Sequence, residues 1–120
     1  MGVITSQLEV VGRRGKKKVE ALIDTGAEGN YINERLFLEF WDLGITNLGE
    51  TFVSLPGVHE ENKKDVLFFR EIRVPNMTLT DSSLTGFIVI NDIDYDAIIG
   101  IEVLERVGAI INTGLHEIDW

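Results

Sequence analysis

The stretch Ala21-Leu22-Ile23-Asp24-Thr25-Gly26-Ala27 decides the fold of this chain. It is an apolar run, led by Val19, that ends in an acid, a hydroxyl residue and two small residues. A carboxylate at the end of a core strand is costly to ionise unless it is hydrogen-bonded or paired. Thr25 offers a hydroxyl, and Gly26 allows another backbone to approach closely because it has no side chain. The pattern favours a functional acid, although a strand that ends in an ordinary Asp-Gly turn is the simpler alternative.

A second apolar segment supports the functional interpretation. The run Ala97-Ile98-Ile99-Gly100-Ile101-Glu102-Val103-Leu104 places an apolar pair before a glycine and a short helical turn. Together the two motifs resemble the retropepsin-like aspartic proteases, which comprise the retroviral proteases and their cellular relatives. The resemblance extends from the hairpin before Asp24 to Asn112. It implies the single-lobed acid protease fold, a mostly β, closed barrel with one or two short helices.

Composition limits the class of protein. The chain has 120 residues, 44% of them hydrophobic, and 12 glycines, which favours one turn-rich globular domain spanning residues 1–120. The net charge of −9 argues against nucleic acid as a partner, because phosphate binding requires a basic surface. There is no cysteine for a disulfide or a thiol nucleophile. No segment has the pattern of a signal peptide or membrane span, so we expect a cytoplasmic protein without a membrane partner.

No metal or other cofactor is expected. His59 and His116 lie far apart in polar surroundings, which disfavours a histidine-based metal site. The acidic run 92–96 alternates as in a calcium loop, but Ala97 and Val103 stand where that loop requires Gly and Glu. An acidic turn that leads into a strand explains the run better.

Apolar periodicity and turn residues predict the order of elements along the chain. The predicted elements are a hairpin of residues 3–11 and 19–23, a strand at 31–32, a helix that begins at Asn33 and stops at Gly44, strands at 51–55, 66–74, 84–90 and Ala97–Ile99, a helix at 102–107 ended by Gly108, and strands at 109–111 and 116–120. Retroviral proteases lack a full helix after the first motif, so the predicted helix at Asn33 favours the cellular branch.

A basic cluster lies at the tip of the first predicted hairpin. It consists of Arg13, Arg14, Lys16, Lys17 and Lys18 around Gly15. A solvated turn is the simpler interpretation, because charge runs at turns are usually exposed. A docking patch for an acidic partner is the alternative.

The polar stretch 56–65 separates two predicted strands and opens with Pro56-Gly57. By position it resembles the flap of the retropepsin-like family, the hairpin that closes over substrate. Its tip is either Pro56-Gly57 or the charged segment that follows. An ordinary long hairpin loop is the alternative to a flap.

The resemblance also implies a role for each residue of the two motifs. Asp24 is the expected catalytic acid and base, and Thr25 is expected to brace the two active loops of a dimer. Gly26 and Ala27 would lie beside the substrate backbone, while Gly100, preceded by Ile98, would pack behind the active loop. The expected substrate-binding residues are Glu28, Leu55, Pro56, Gly57, Val58 and Ile99.

One position departs from the retroviral pattern. Retroviral proteases place an arginine directly after the glycine of the second motif and pair it with an acid near the catalytic loop. Here Ile101 follows Gly100, so this ion pair is absent at this position. Glu28 matches the acid, and it either takes another partner, such as Arg106, or is solvated.

The predicted function is peptide hydrolysis on a pair of aspartates. An aspartic protease activates water with two carboxyl groups that share a proton, because two like charges at close range cannot both ionise. This chain has a single Asp-Thr-Gly motif, so the second acid is expected from a second copy across a two-fold axis. We therefore predict an aspartic endopeptidase that is a homodimer and acts on a peptide or protein substrate. The alternative is a catalytically inactive dimeric binding or assembly module on the same fold.

Overall fold

The computed structural model describes residues 3–54 and 61–120. The strands are β1 (Thr5–Val11), β2 (Lys16–Ile23), β3 (Asn30–Asn33), β4 (Asn47–Ser54), β5 (Glu61–Phe68), β6 (Glu71–Val74), β7 (Met77–Leu79), β8 (Gly86–Ile90), β9 (Ala97–Ile99), β10 (Ile110–Asn112) and β11 (Glu117–Asp119). The helices are α1 (Phe37–Asp42) and α2 (Ile101–Val107). The predicted mostly β class is confirmed.

Nine strands form one mixed sheet in the order β4-β5-β8-β3-β9-β2-β1-β6-β7, and β10 pairs with β11 separately. Most neighbours are antiparallel, but β9 is parallel to β2 and β8 is parallel to β3. Strand β9 therefore lies between β2 and β3, and Ile23 is in register with Ile99. This insertion brings the second apolar motif directly beside the strand that leads to Asp24.

The core is built from alternating strand residues and three aromatic rings. In β2, Val19, Ala21 and Ile23 are buried, as expected for a strand with one face on the core. Phe40 from α1 packs against Phe69 and Phe87, with ring centroids 5.7 and 6.4 Å away. Such aromatic contacts contribute about 1 kcal/mol each beyond the apolar area they bury. Phe40 thereby fixes α1 to the sheet.

The predicted helix after β3 is confirmed, with a change in its first turn. Residues Glu34–Leu36 form a 3-10 turn, and α1 continues from Phe37 to Asp42. Asn33 caps the turn by accepting a hydrogen bond from Arg35 N at 3.1 Å, and Gly44 follows the helix with a φ of 84°. Among the described residues, no helix has both the length and the apolar character needed to cross a membrane.

The predicted strand at 66–74 is wrong in one respect, since the chain turns a corner at Phe69 and Arg70. Phe69 N donates to Thr85 O at 3.1 Å, whereas Arg70 N donates to Val11 O at 2.9 Å. The chain thus leaves β8 and joins β1 at this point. Because Phe69 is buried, the apolar pattern continues through the corner and gives no sign of it. The short strand β7 was also missed.

The charged segment after the predicted flap turn belongs to β5. Ser54 is in register with Glu61, and Glu50 forms an ion pair with Lys63 at 3.0 Å. Residues 61–65 were expected in a loop because lysine, glutamate and aspartate are depleted in strands. Residues 61–65 of the charged segment are therefore strand residues, whereas the predicted flap tip at Pro56-Gly57 lies outside the described residues.

The basic tip of the first hairpin is held against the end of α1. Arg13 N donates to Gly44 O at 2.7 Å, and Arg14 N donates to Leu43 O at 2.8 Å. Lys17 forms an ion pair with Glu39 at 3.4 Å. The tip is therefore a packed corner of the fold, although most of its cationic side chains are exposed.

We expect Gly12→Ala to destabilise the protein by about 3 kcal/mol, because overpacking against backbone atoms cannot be relieved by a rotamer change. An added Cβ at Gly12 would approach Gly44 O to 2.6 Å and the carbonyl group of Leu43 more closely still. The matched control is Gly15→Ala, whose methyl group would meet only Leu43 Cδ2 at 3.6 Å, an ordinary contact. Urea unfolding measures both variants, and equal midpoints would contradict the prediction.

Candidate active site

Asp24 is the first residue after β2, and backbone hydrogen bonds fix it on both sides. Its N–H donates to Ile99 O at 3.0 Å, and its carbonyl oxygen accepts from Ala27 N at 3.2 Å. Its carboxylate accepts from Gly26 N through Oδ1 at 2.9 Å. The side chain is thus held in one orientation by its own turn, a common arrangement for aspartate at a tight turn.

The end of this loop faces solvent in a single copy of the chain. Asp24 is half-buried, whereas Thr25 and Gly26 are exposed. We expected an acid buried at the end of a core strand, but the core strand ends at Ile23 and the next residue emerges from it. The carboxylate and the Thr25 hydroxyl are therefore accessible to a substrate or to another protein chain.

Gly100 packs behind this loop. An added Cβ at Gly100 would approach Ala27 O to 2.6 Å and the carbonyl carbon of Glu28 to 2.8 Å, and Gly29 O would lie closer still. Its φ of −93° is open to any residue, so the requirement for glycine is one of space. The next residue reinforces the contact, because Ile101 N donates to Ala27 O at 2.7 Å.

Asn30 is a residue of this site that the sequence analysis missed. Its side chain is 4% exposed and accepts a hydrogen bond from Gly100 N through Oδ1 at 3.3 Å. Its Nδ2 donates to Leu84 O at 2.8 Å and Gly86 O at 3.4 Å. A signal was present, because Asn30 shares a strand face with the buried Ile32 and a buried amide requires partners.

The family model described as aspartyl protease matches residues 7–103, a range that includes both motifs. The chain belongs to the aspartyl protease family. No curated protein matches the chain. The match extends over most of the chain, so membership does not depend on the Asp-Thr-Gly motif alone.

Two solved structures of retropepsin-like domains share the fold. The retroviral protease-like domain of Ddi1 from Leishmania major has a TM-score of 0.58 and 17% identity, over 99% of this chain and 88% of that one. A retropepsin-like aspartic protease from Rickettsia conorii has a TM-score of 0.59 and 19% identity, over 93% of this chain and 90% of that one. The predicted resemblance to retropepsin-like proteases is confirmed.

Within this aspartyl protease family member, Arg106 does not pair with Glu28. Its guanidinium contacts Asp81 at 3.2 Å and ties α2 to the turn before β8. Hydrogen bonds from the backbone N–H and hydroxyl of Ser83, followed by the contact with Arg106, lower the pKa of Asp81. Glu28 is exposed and forms no ion pair with any residue in 3–54 or 61–120. Of the two alternatives for Glu28, the structure favours solvation.

The structure describes some of the other predicted site residues and leaves others outside the described ranges. Ile98 is half-buried in β9, and its neighbour Ile99 is fully buried in the core. Ile99 is a predicted substrate-binding residue; its side chain lies in the core, and its backbone carbonyl accepts the hydrogen bond from Asp24 N. The predicted substrate contacts of Leu55, Pro56, Gly57 and Val58 lie outside the described residues. Among the residues that are described, no three metal-ligating side chains converge.

Proposed function

We propose that this chain is an aspartic endopeptidase in which the carboxylate of Asp24 activates water for attack on a peptide bond. The observation that supports this most is the half-buried carboxylate of Asp24, which is oriented by a hydrogen bond from Gly26 N at 2.9 Å in a loop against which Gly100 packs. An oriented carboxylate acts as a general base by taking a proton from a water molecule within hydrogen-bond distance.

The proposal includes a homodimer. Each copy supplies one Asp24, and the two carboxyl groups share a proton, since like charges at close range cannot both ionise. One carboxylate takes a proton from water while the other carboxyl group donates to the substrate carbonyl. Exposure of Thr25 supports this arrangement, because its hydroxyl is available to brace the loop of a second copy.

The proposal also includes one domain of residues 1–120 whose nine-stranded sheet closes around a single core. In that domain the hairpin of β4 and β5 acts as the flap. Its Phe52 is 63% exposed, and a large apolar side chain left bare near the end of a hairpin is suited to contact with substrate. Glu28, Gly26 and Ala27 are the other proposed substrate contacts.

The proposed function is tested by measuring turnover of a denatured-protein mixture. The assay is run with and without a statine-type inhibitor that mimics the tetrahedral intermediate. Cleavage that the inhibitor abolishes supports the proposal. If the protein sediments as a dimer but neither cleaves the mixture nor is stabilised by the inhibitor, the result would instead favour the inactive binding or assembly module.

We expect specific activity to fall on dilution and to be highest at acidic pH. A monomer has no pair of acids, so activity disappears below the dimer dissociation constant. Rising pH removes the shared proton, and it also increases repulsion between two chains that each carry a net charge of −9. Added salt relieves only the repulsion.

The measurement is a dilution series of specific activity at two pH values, with sedimentation of the same samples. Constant specific activity at concentrations where sedimentation shows only monomer would contradict the shared site.

A further inference from the structure

One peptide group connects Asp24 to the interior of the sheet. The carbonyl oxygen of Ile99 accepts a hydrogen bond from Asp24 N at 3.0 Å. The N–H of Gly100, on the other side of the same peptide bond, donates to Asn30 Oδ1 at 3.3 Å. A peptide group is planar, so its oxygen and its N–H cannot reorient independently. Any change in the partner of Gly100 N therefore changes the direction of the carbonyl that holds Asp24.

The amide of Asn30 is fixed at its other end. Its Nδ2 donates to Leu84 O at 2.8 Å and more weakly to Gly86 O at 3.4 Å. Three amide groups are thus aligned head to tail, those of Asp24, of the peptide bond between Ile99 and Gly100, and of the Asn30 side chain. Aligned hydrogen bonds polarise and strengthen one another, and at 4% exposure water does not replace them.

We propose that Asn30 is a positioning residue of the active site, which sets the orientation of Asp24 through the peptide bond between Ile99 and Gly100. The inference rests on the proposed function of Asp24. Asn30 does not touch the reacting atoms. Its effect is on geometry, since misplacing a catalytic group by about 1 Å is enough to lower a rate about 100-fold.

The same strand provides a matched control. Asn33 is 6% exposed, and its Nδ2 donates to Ile93 O at 2.9 Å and Tyr95 O at 3.4 Å. Its Oδ1 accepts from Arg35 N at 3.1 Å, at the start of the turn that leads to α1. Asn30 and Asn33 therefore share residue type, burial and hydrogen-bond pattern, but only the bonds of Asn30 lead to Asp24.

The test compares Asn30→Ala with Asn33→Ala, both assayed at protein concentrations above the dimer dissociation constant. Both variants are expected to unfold at lower urea concentration, because each leaves buried or partly buried carbonyl groups without a donor. We expect kcat per folded protein to fall about 10- to 100-fold in Asn30→Ala, with KM little changed. In Asn33→Ala we expect kcat to change less than about twofold, since its partners are not those of Asp24.

A second variant keeps the test decisive if the alanine variants do not fold. In Asn30→Asp, the protonated carboxyl group donates to Leu84 O and accepts from Gly100 N, as the amide does. Burial disfavours the ionised form, which would also face two carbonyl oxygens. The kcat of Asn30→Asp, divided by the kcat of the wild type at the same pH, should therefore rise as pH falls. For Asn33→Asp, the ratio of its kcat to that of the wild type should not change with pH.

Amide hydrogen exchange separates this inference from the proposed function. Exchange at Asp24 N and Gly100 N should be faster in Asn30→Ala than in Asn33→Ala, whether or not the protein cleaves peptides. Equal exchange and equal kcat in the two variants, or a pH-independent kcat ratio for Asn30→Asp, would overturn the positioning role. A wild type that does not cleave peptides, with exchange still selective for Asn30→Ala, would overturn the proposed function alone.

Discussion

Asp24→Asn is expected to abolish peptide hydrolysis while the chain remains folded. Asparagine has nearly the same shape and retains the Oδ1 acceptor for Gly26 N, which lies at 2.9 Å from it in the wild type. An amide does not exchange a proton with water at working pH, so the proposed base is lost. We expect the rate to fall at least about 1,000-fold, because no other group replaces the base.

Initial rates and thermal unfolding of the two forms measure this effect. Unfolding should occur at an equal or higher temperature in the variant, since in the proposed dimer a neutral amide removes the cost of placing two ionisable acids at close range. Asp42→Asn is the matched control, because Asp42 is an exposed acid at the end of α1, outside the active loop. Turnover like that of the wild type in Asp24→Asn would refute the assignment of Asp24.

Gly100→Ala is expected to have the second largest effect, a loss of about 3 kcal/mol in the free energy of unfolding together with loss of activity. The new methyl group would displace the loop carbonyls of Ala27 and Gly29, which are backbone atoms without an alternative rotamer. Moving Ala27 also breaks its hydrogen bond from Ile101 N, at 2.7 Å. The active loop and α2 would then separate.

Gly114→Ala is the matched control for this substitution. Its methyl group would meet only Asn112 Oδ1 at 3.5 Å, so we expect a change within about 0.5 kcal/mol, as for most surface substitutions. Urea unfolding and initial rates are measured on both variants. A Gly100→Ala variant as stable and as active as Gly114→Ala would show that the loop does not require close packing.

Local patterns predicted the elements that local chemistry determines. The alternation in β2, the cap at Asn33 and the end of α2 at Gly108, where φ is 68°, all follow from a few neighbouring residues. The two motifs located the loop of Asp24 and the segment behind it, because each is a short contiguous pattern. These parts of the fold could be predicted from the sequence.

The parts that were missed depend on partners distant in sequence. The corner at Phe69 and Arg70 exists because the chain changes its neighbour from β8 to β1, which apolar periodicity does not encode. Arg106 was considered as a partner for Glu28, whereas it pairs with Asp81, which is 25 residues away along the chain. Asn30 was overlooked for the same reason, because its role requires knowing where Leu84 and Gly100 lie.

The parallel pairing of β2 with β9 and of β3 with β8 affects how fast the site appears during folding. Asn30 and its partners are 54 to 70 residues apart along the chain. Closing such long loops is entropically unfavourable, so chains dominated by distant contacts fold in about milliseconds to seconds rather than microseconds. During synthesis, Asp24 emerges from the ribosome long before Gly100. A nascent chain therefore carries Asp24 before it carries the segment that supports it, and the proposed active site can form only after Gly100 has been synthesised.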